Sequence, residues 1–213
     1  MGPNHRITYC STALLATVAG LGVLGFLLWY QSRMTQIHPY LFTGVSALLI
    51  CYGISTIFLG KLPLLDVASA VGRTSNLTGR GDVWAALLPA LMKQPLLGYG
   101  YGGFWSTAAR EAYDISDSHN GYLAVILEIG FVGLILYSVF LLSATKAAER
   151  LLNYDYRWGA LCLMFVVGIL IHNVGEASLN SFNAALTAVF LLLNVSCSNG
   201  AHVMAGTEPG QAH

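Results

Sequence analysis

Long apolar runs constrain this chain most, because several approach the length needed to cross a bilayer. A spanning helix needs about 20 mostly apolar residues, since each backbone N–H and C=O must be satisfied within the segment. The candidate spans are residues 8–30, 40–59, 122–145 and 158–171, with a marginal fifth at 183–197. Only 9% of the residues are charged, against roughly 25% in soluble domains. We therefore predict an all-α membrane protein with about five transmembrane helices.

Charge and cysteine usage exclude two other classes of protein. The formal net charge is zero, whereas a nucleic-acid-binding protein needs a basic surface to displace counterions from phosphates. The four cysteines are far apart in sequence and lie in or beside apolar runs: Cys10, Cys51, Cys162 and Cys197. No paired spacing suggests a zinc site or a disulfide framework, so we expect ordinary buried or lipid-facing thiols.

The predicted spans divide the chain into four regions. These are two N-terminal helices (1–60), a large loop (61–119), three C-terminal helices (120–197) and a cytoplasmic tail (198–213). Lys146, Arg150 and Arg157 lie between the third and fourth spans, so the positive-inside rule assigns that side to the cytoplasm. The loop then lies on the extracytoplasmic side, and it holds ten of the twenty charged residues.

A short amphipathic helix is predicted within this loop. Asp82 is a suitable N-cap for a helix from Val83, and one apolar stripe contains Trp84, Leu87, Leu88 and Leu91. We expect the helix to lie flat at the membrane surface. Arg80 precedes it, and an arginine beside a helix N-terminus suits a phosphate group. The alternative is an arginine that extends to lipid headgroups.

The glycine-rich stretch of residues 98–103 follows this helix. It matches neither a dinucleotide-binding nor a nucleotide-binding loop, because no strand precedes it and no Gly-Lys-Ser/Thr follows. We expect its glycines to let the backbone approach another helix or a substrate closely.

His119 stands at the start of the third predicted span. A lone histidine is more often structural than catalytic, but an imidazole titrates near neutral pH and accepts a proton from a hydroxyl. Asp117 and Asn120 are both candidates to orient it. Glu128 lies within the span, and an acid there is a functional candidate. A second polar cluster, formed by His172 and Glu176, ends the fourth span on the same side.

Several separate elements resemble the bacterial O-antigen ligase and polymerase superfamily. His119-Asn120, nine residues, and then Gly130-Phe131-Val132-Gly133 are similar to the family pattern H[NSQ]-x9-G-x-x-[GTY]. The segments of residues 78–84 and 94–100 are similar to the family region before that histidine. The resemblance covers about residues 73–180.

The resemblance implies a membrane glycosyltransferase that needs no metal and no cofactor. Such enzymes transfer a glycan from undecaprenyl diphosphate to an acceptor hydroxyl at the outer face of the bacterial inner membrane, in lipopolysaccharide or exopolysaccharide biosynthesis. By this resemblance, His119 is the general base, Arg80 holds the diphosphate, and Arg73 is a candidate second diphosphate ligand. Asn120, Glu128 and Glu176 are supporting residues. The acceptor is a glycan or a lipid A core.

Three alternatives to a complete enzyme remain open at this point. Typical members of the superfamily are longer and carry a further phosphate-binding arginine, so we expect a truncated protein or one half of a split enzyme whose partner chain supplies the missing helices. An inactive remnant is another interpretation. The alternative from a different class is a channel or transporter subunit with an ion path through Glu128, His172 and Glu176.

Overall fold

The computed structural model describes residues 11–31, 40–59, 80–106 and 117–176. The regular structure in these ranges is helical, in five helices. Four are long and apolar enough to cross a membrane. They are α1 (Ser11–Gln31), α2 (Leu41–Leu59), α4 (Gly121–Leu151) and α5 (Tyr156–Gly175), and the shorter α3 is Arg80–Lys93. The prediction of an all-α membrane protein is confirmed, while the predicted fifth span and Arg73 lie outside the described residues.

The third predicted span is longer than expected and is broken. Gly130 has φ 67° and ψ −169°, which is not helical and which glycine tolerates far better than other residues. The rings of Tyr122 and Tyr137 lie on opposite sides of this break in sequence, and their centroids are 6.4 Å apart. A straight helix would separate these residues by about 22 Å along its axis. The chain therefore turns sharply back at Gly130.

The break divides α4 into a short first segment (residues 121–129) and a long second segment (residues 131–151). The second segment alone has 21 residues, enough to span a bilayer. Its Thr145 donates a hydrogen bond to Ser46 of α2 at 3.0 Å, which sets the register of the two antiparallel helices. The first segment is instead buried from Gly121 to Glu128. It therefore packs inside the protein, where the Tyr122 ring lies against Gly53 of α2.

A charged side chain, Glu149, caps the start of α2 at one end of the bundle. The Glu149 carboxylate accepts hydrogen bonds from the backbone N–H groups of Phe42 (2.5 Å) and Thr43 (3.1 Å) and from the Thr43 hydroxyl. A carboxylate at these positions satisfies N–H groups that have no partner within α2 and complements the helix dipole. Lys146 and Arg150 lie on the same turns of α4, so this end carries the basic residues.

Helix α3 packs its apolar stripe against protein. Trp84, Leu87 and Leu91 are fully buried in the main core cluster, and Leu88 is partly buried against it. The prediction of an amphipathic helix with this stripe is confirmed, but its apolar face is buried in the protein core and is not left open to lipid. The helix begins at Arg80, three residues earlier than predicted, so Asp82 stands in the first turn and is not the N-cap.

Residues 95–100 close the gap in α4 with backbone hydrogen bonds. The N–H groups of Tyr99 and Gly100 donate to the carbonyls of Leu127 and Glu128, at 3.0 and 2.7 Å. On the other side of the break, the second segment donates N–H groups to the carbonyls of Pro95 and Leu96, at 2.8 and 3.3 Å. Groups left without helical partners by the break are thus satisfied by the loop.

This docking depends on a close backbone approach at Gly98, as the sequence predicts for the glycine-rich stretch. Gly98 has φ +65°, and a Cβ there would lie 2.5 Å from the carbonyl carbon of Glu128. A Cβ on Gly130 would likewise collide with the Leu96 carbonyl. Both glycines are required because two backbones touch without intervening side chains.

Candidate functional site

Three helices bring one arginine, one histidine and one glutamate together at the end of the bundle covered by α3. Arg80 is the first residue of α3, His119 lies just before α4, and Glu176 follows the last residue of α5. The Glu176 carboxylate contacts both partners, with Oε1 3.3 Å from Arg80 Nη2 and Oε2 3.5 Å from His119 Nδ1. Glu176 therefore bridges the arginine and the histidine that the family resemblance assigns to catalysis.

The backbone around His119 is held in an uncommon conformation. His119 has φ +48°, in the left-handed region that residues other than glycine seldom occupy. The residue before it, Ser118, is fully buried, and its carbonyl accepts a 2.8 Å hydrogen bond from Trp84 Nε1. Strained backbone of this kind is concentrated at functional sites. Since α3 carries both Trp84 and Arg80, one helix fixes two parts of the cluster.

Asn120 anchors the start of α4 and does not contact the imidazole in the described structure. Its Oδ1 accepts hydrogen bonds from the N–H groups of Tyr122 and Leu123, at 2.9 and 3.0 Å, as an N-cap does. Its Nδ2 lies 3.3 Å from Thr56 Oγ1 and 3.4 Å from the Val174 carbonyl. Asn120 thus ties α4 to α2 and α5, and it supports the site through the backbone beside His119.

Glu176 is also the main electrostatic influence on His119. The hydrogen bond to Glu176 raises the pKa of the His119 imidazole, and this outweighs partial burial and the Arg80 guanidinium, which lower it. Burial raises the pKa of the Asp117 carboxyl, although the His119 ring and nearby backbone N–H groups oppose this effect. The sequence offers two residues to orient His119. Asn120 fixes the backbone beside it by capping α4, and the charge of Asp117 helps to raise the pKa of its ring.

The exposures of the three side chains differ in a way that suits a substrate site. The Arg80 and Glu176 side chains are 13% and 22% exposed, whereas His119 is 41% exposed. Within the part of the chain that the structure describes, buried Nη1 of Arg80 has no hydrogen-bond partner. A guanidinium has five N–H donors, so Arg80 retains donor capacity after binding Glu176. The cluster thus combines a hydrogen-bond donor for an anion with an accessible imidazole.

A metal ion is the other group that this cluster could hold. One ligand atom each from Asp117, His119 and Glu176 lies within 4.8 Å of the others. Two carboxylates and one imidazole are a possible ligand set for a divalent cation. In this arrangement, however, the Arg80 guanidinium already supplies a positive charge to Glu176. A second cation on the same carboxylate would be repelled by that charge.

Of the remaining predicted residues, Glu128 lies apart from this cluster, His172 lies one turn from Glu176, and Arg73 lies outside the described ranges. Glu128 is 3% exposed and lies eight residues after Asn120 on the first segment of α4, on the order of 12 Å along its axis. His172 occupies the last turn of α5, one turn before Glu176. The second polar cluster predicted from His172 and Glu176 is therefore continuous with the first, because Glu176 belongs to both.

The bridging position of Glu176 is the feature of the site that the sequence left unassigned. It is 57 residues from His119 and 96 residues from Arg80 along the chain, so no local pattern connects the three. The available signal was an acid immediately after an apolar span, at the same predicted side as His119. That signal identifies a candidate but does not give its partners.

The chain is similar in sequence to known proteins. A sequence profile of the family described as O-antigen ligase matches residues 7–138, which begins earlier and ends earlier than the expected range of 73–180. The exopolysaccharide production protein ExoQ of Rhizobium meliloti (strain 1021) is 29% identical over 193 residues. This match covers 80% of the present chain and 42% of ExoQ, so the chain spans less than half the length of that relative. No solved structure matches.

Proposed function

The chain belongs to the O-antigen ligase family, and we propose that it transfers a glycan from undecaprenyl diphosphate to an acceptor hydroxyl. The observation that carries this proposal is the Glu176 carboxylate bound to both Arg80 and His119. The relative is named for exopolysaccharide production, which favours a growing polysaccharide as the acceptor. A lipid A core is the second candidate acceptor.

In the proposed reaction, His119 acts as the general base. Its Nδ1–H donates to Glu176, which leaves the lone pair of Nε2 to accept the proton of the acceptor hydroxyl. The acceptor oxygen attacks the anomeric carbon of the donor sugar, and the bond from that carbon to the diphosphate oxygen breaks. Glu176 then stabilises the imidazolium that forms, as an orienting carboxylate does in hydrolase triads.

Arg80 has the complementary role of stabilising the leaving group. Negative charge develops on the diphosphate as the glycosidic bond breaks, and a preorganised guanidinium is well suited to bind it. The Nη1 group, which has no hydrogen-bond partner among the described residues, supplies donors for this contact. Arg73 is proposed as a further diphosphate ligand on the strength of the resemblance alone. With a guanidinium in this role, we propose that transfer needs no metal ion.

We propose that this site faces the outside of the bacterial inner membrane. Lys146, Arg150 and Arg157 lie at the opposite end of the bundle from His119, at the end of α4 and the start of α5. The positive-inside rule assigns that end to the cytoplasm. A second chain that supplies further helices is part of the proposal, because the chain spans 42% of its relative.

The test is glycan transfer from lipid-linked donor in membranes that contain the chain together with a chain that supplies the remaining helices. His119→Ala and Arg80→Lys should each reduce transfer at least about tenfold, since a lysine does not reproduce a bidentate guanidinium. Arg157→Lys, at the other end of the bundle, is the matched control and should retain wild-type transfer. Wild-type rates in both site variants would refute the mechanism, and loss of transfer on chelation with EDTA would refute metal independence.

The acceptor is tested by complementation. The chain is introduced into one strain that lacks its O-antigen ligase and one that lacks its polysaccharide polymerase, with and without a chain that supplies the remaining helices. Restored polymer in the second strain alone supports the polysaccharide acceptor. Restored attachment to lipid A core in the first strain supports the ligase alternative.

A further inference from the structure

The segment that follows α3 exposes an apolar surface that the proposed reaction does not use. Leu96 and Leu97 are 67% and 73% exposed, and Met92 and Tyr101 are also largely exposed. Residues 94–106 contain no Lys, Arg, Asp or Glu, although they belong to the loop that holds half of the charged residues. Lys93 is exposed at the start of this stretch, and the leucines that follow it lie in an uncharged segment, which is typical of a surface that contacts something other than water.

This surface is continuous with the outward side of the second segment of α4. The Leu96 carbonyl accepts a 3.3 Å hydrogen bond from the Val132 N–H, which fixes the loop at the first turn of that segment. Val132, Leu136 and Val139 have the spacing i, i+4, i+7 and are all substantially exposed. They form one stripe on a spanning helix, and such a stripe faces lipid. Leu96 lies at the upper end of this stripe.

We propose that Leu96 and Leu97 insert into the lipid leaflet at the site end of the bundle and contact acyl chains there. The backbone of this segment is suited to that position, because polar backbone groups close to hydrocarbon must be satisfied within the protein. The carbonyls of Gln94, Pro95 and Leu96 all accept hydrogen bonds from backbone N–H groups. Insertion of these leucines anchors the loop that bridges the break at Gly130.

The sequence predicts that α3 contacts the membrane surface. We assign this contact instead to Leu96 and Leu97, in the loop that follows α3. The apolar stripe of α3 is occupied by the protein core, as Trp84 and Leu87 are fully buried. Leu96 and Leu97 are among the most exposed apolar side chains at this end, and Tyr101, four residues after Leu97, is an exposed aromatic residue of the kind typical of the membrane boundary.

Site-directed spin labelling in proteoliposomes tests this contact without any measurement of activity. The label is attached to Leu97→Cys in the full chain with its four native cysteines replaced by alanine. A matched label at Leu136→Cys, on the α4 stripe, is the reference for a side chain that faces lipid. A second label at Asp82→Cys, on the exposed side of α3, is the reference for a side chain that faces water. Collision rates with oxygen and with a water-soluble nickel complex are then measured at each position.

The expected result is an oxygen-to-nickel collision ratio at Leu97 that is several-fold higher than at Asp82 and close to that at Leu136. A ratio at Leu97 equal to that at Asp82 means that the leucines face water, which overturns the proposal. Low collision rates with both reagents mean that protein covers the leucines, either a second copy or a further chain, and this result also overturns it. Because Leu97 is mostly exposed, the label displaces no core side chain.

Discussion

Replacing Gly98 by alanine tests whether residues 95–100 hold the broken helix together. An alanine Cβ at this position would lie 2.5 Å from the carbonyl carbon of Glu128 and 2.7 Å from the nitrogen of Gly130. These distances are about 1 Å shorter than an ordinary contact between heavy atoms. Both obstacles are backbone atoms, so a side-chain rotation does not relieve the clash and the loop must retreat from α4.

The expected cost follows from the hydrogen bonds on either side of Gly98. Retreat by about 1 Å breaks the bonds from the N–H groups of Tyr99 and Gly100 to α4, which now measure 3.0 and 2.7 Å. The acceptor residues Leu127 and Glu128 are buried, and each of their carbonyls left without a partner costs about 1–3 kcal/mol. An L-residue at φ +65° adds about 1–2 kcal/mol. We expect Gly98→Ala to lower the free energy of unfolding by at least about 3 kcal/mol.

Gly102→Ala is the matched control because it isolates the cost of the backbone conformation. Gly102 has φ +70°, nearly that of Gly98, but no atom lies within 4 Å of its added Cβ. Its substitution should cost only about 1–2 kcal/mol. Unfolding by SDS in mixed micelles gives both free energies, and amide hydrogen exchange at Tyr99 and Gly100 reports the docking directly. Equal losses in the two variants, with unchanged exchange, would refute this account of the break.

Three further outcomes are expected. Glu176→Gln removes the largest cause that raises the His119 pKa, so the imidazole becomes neutral at a lower pH. The acidic limb of the pH profile of the transfer rate should therefore move to lower pH. An unshifted profile contradicts the role of Glu176 as the bridge between Arg80 and His119. Asn120→Ala removes the N-cap of α4 and should lower the unfolding free energy by about 1–2 kcal/mol in the same SDS titration. Glu149→Ala leaves the first N–H groups of α2 uncapped, at the end of the bundle opposite the site, and should lower the unfolding free energy by about 1 kcal/mol. Transfer by membranes that contain this variant should be unchanged. Reduced transfer would show that the two ends of the bundle are coupled.

Much of the fold follows from local pattern because membrane helices are specified by local composition. Long apolar runs satisfy their own backbone hydrogen bonds, and their ends in sequence predict four helices to within a few residues, apart from the extended end of α4. The spacing of Trp84, Leu87 and Leu91 predicts the buried face of α3, since side chains three and four residues apart share one side of a helix. Arg80 and His119 are identified by their resemblance to a family pattern.

Tertiary structure decided the features that depend on contacts between distant residues. The run through Gly130 is apolar apart from Glu128, so hydropathy does not distinguish one long helix from two segments that meet at a sharp turn. The turn is stable because residues 95–100 supply the missing backbone partners from elsewhere in the chain. The position of Glu176 between Arg80 and His119 likewise requires α3, α4 and α5 to pack in one arrangement. Sequence by itself determined which segments are helices and which residues are chemically suited to a site, while packing decided where the helix breaks and which charges meet.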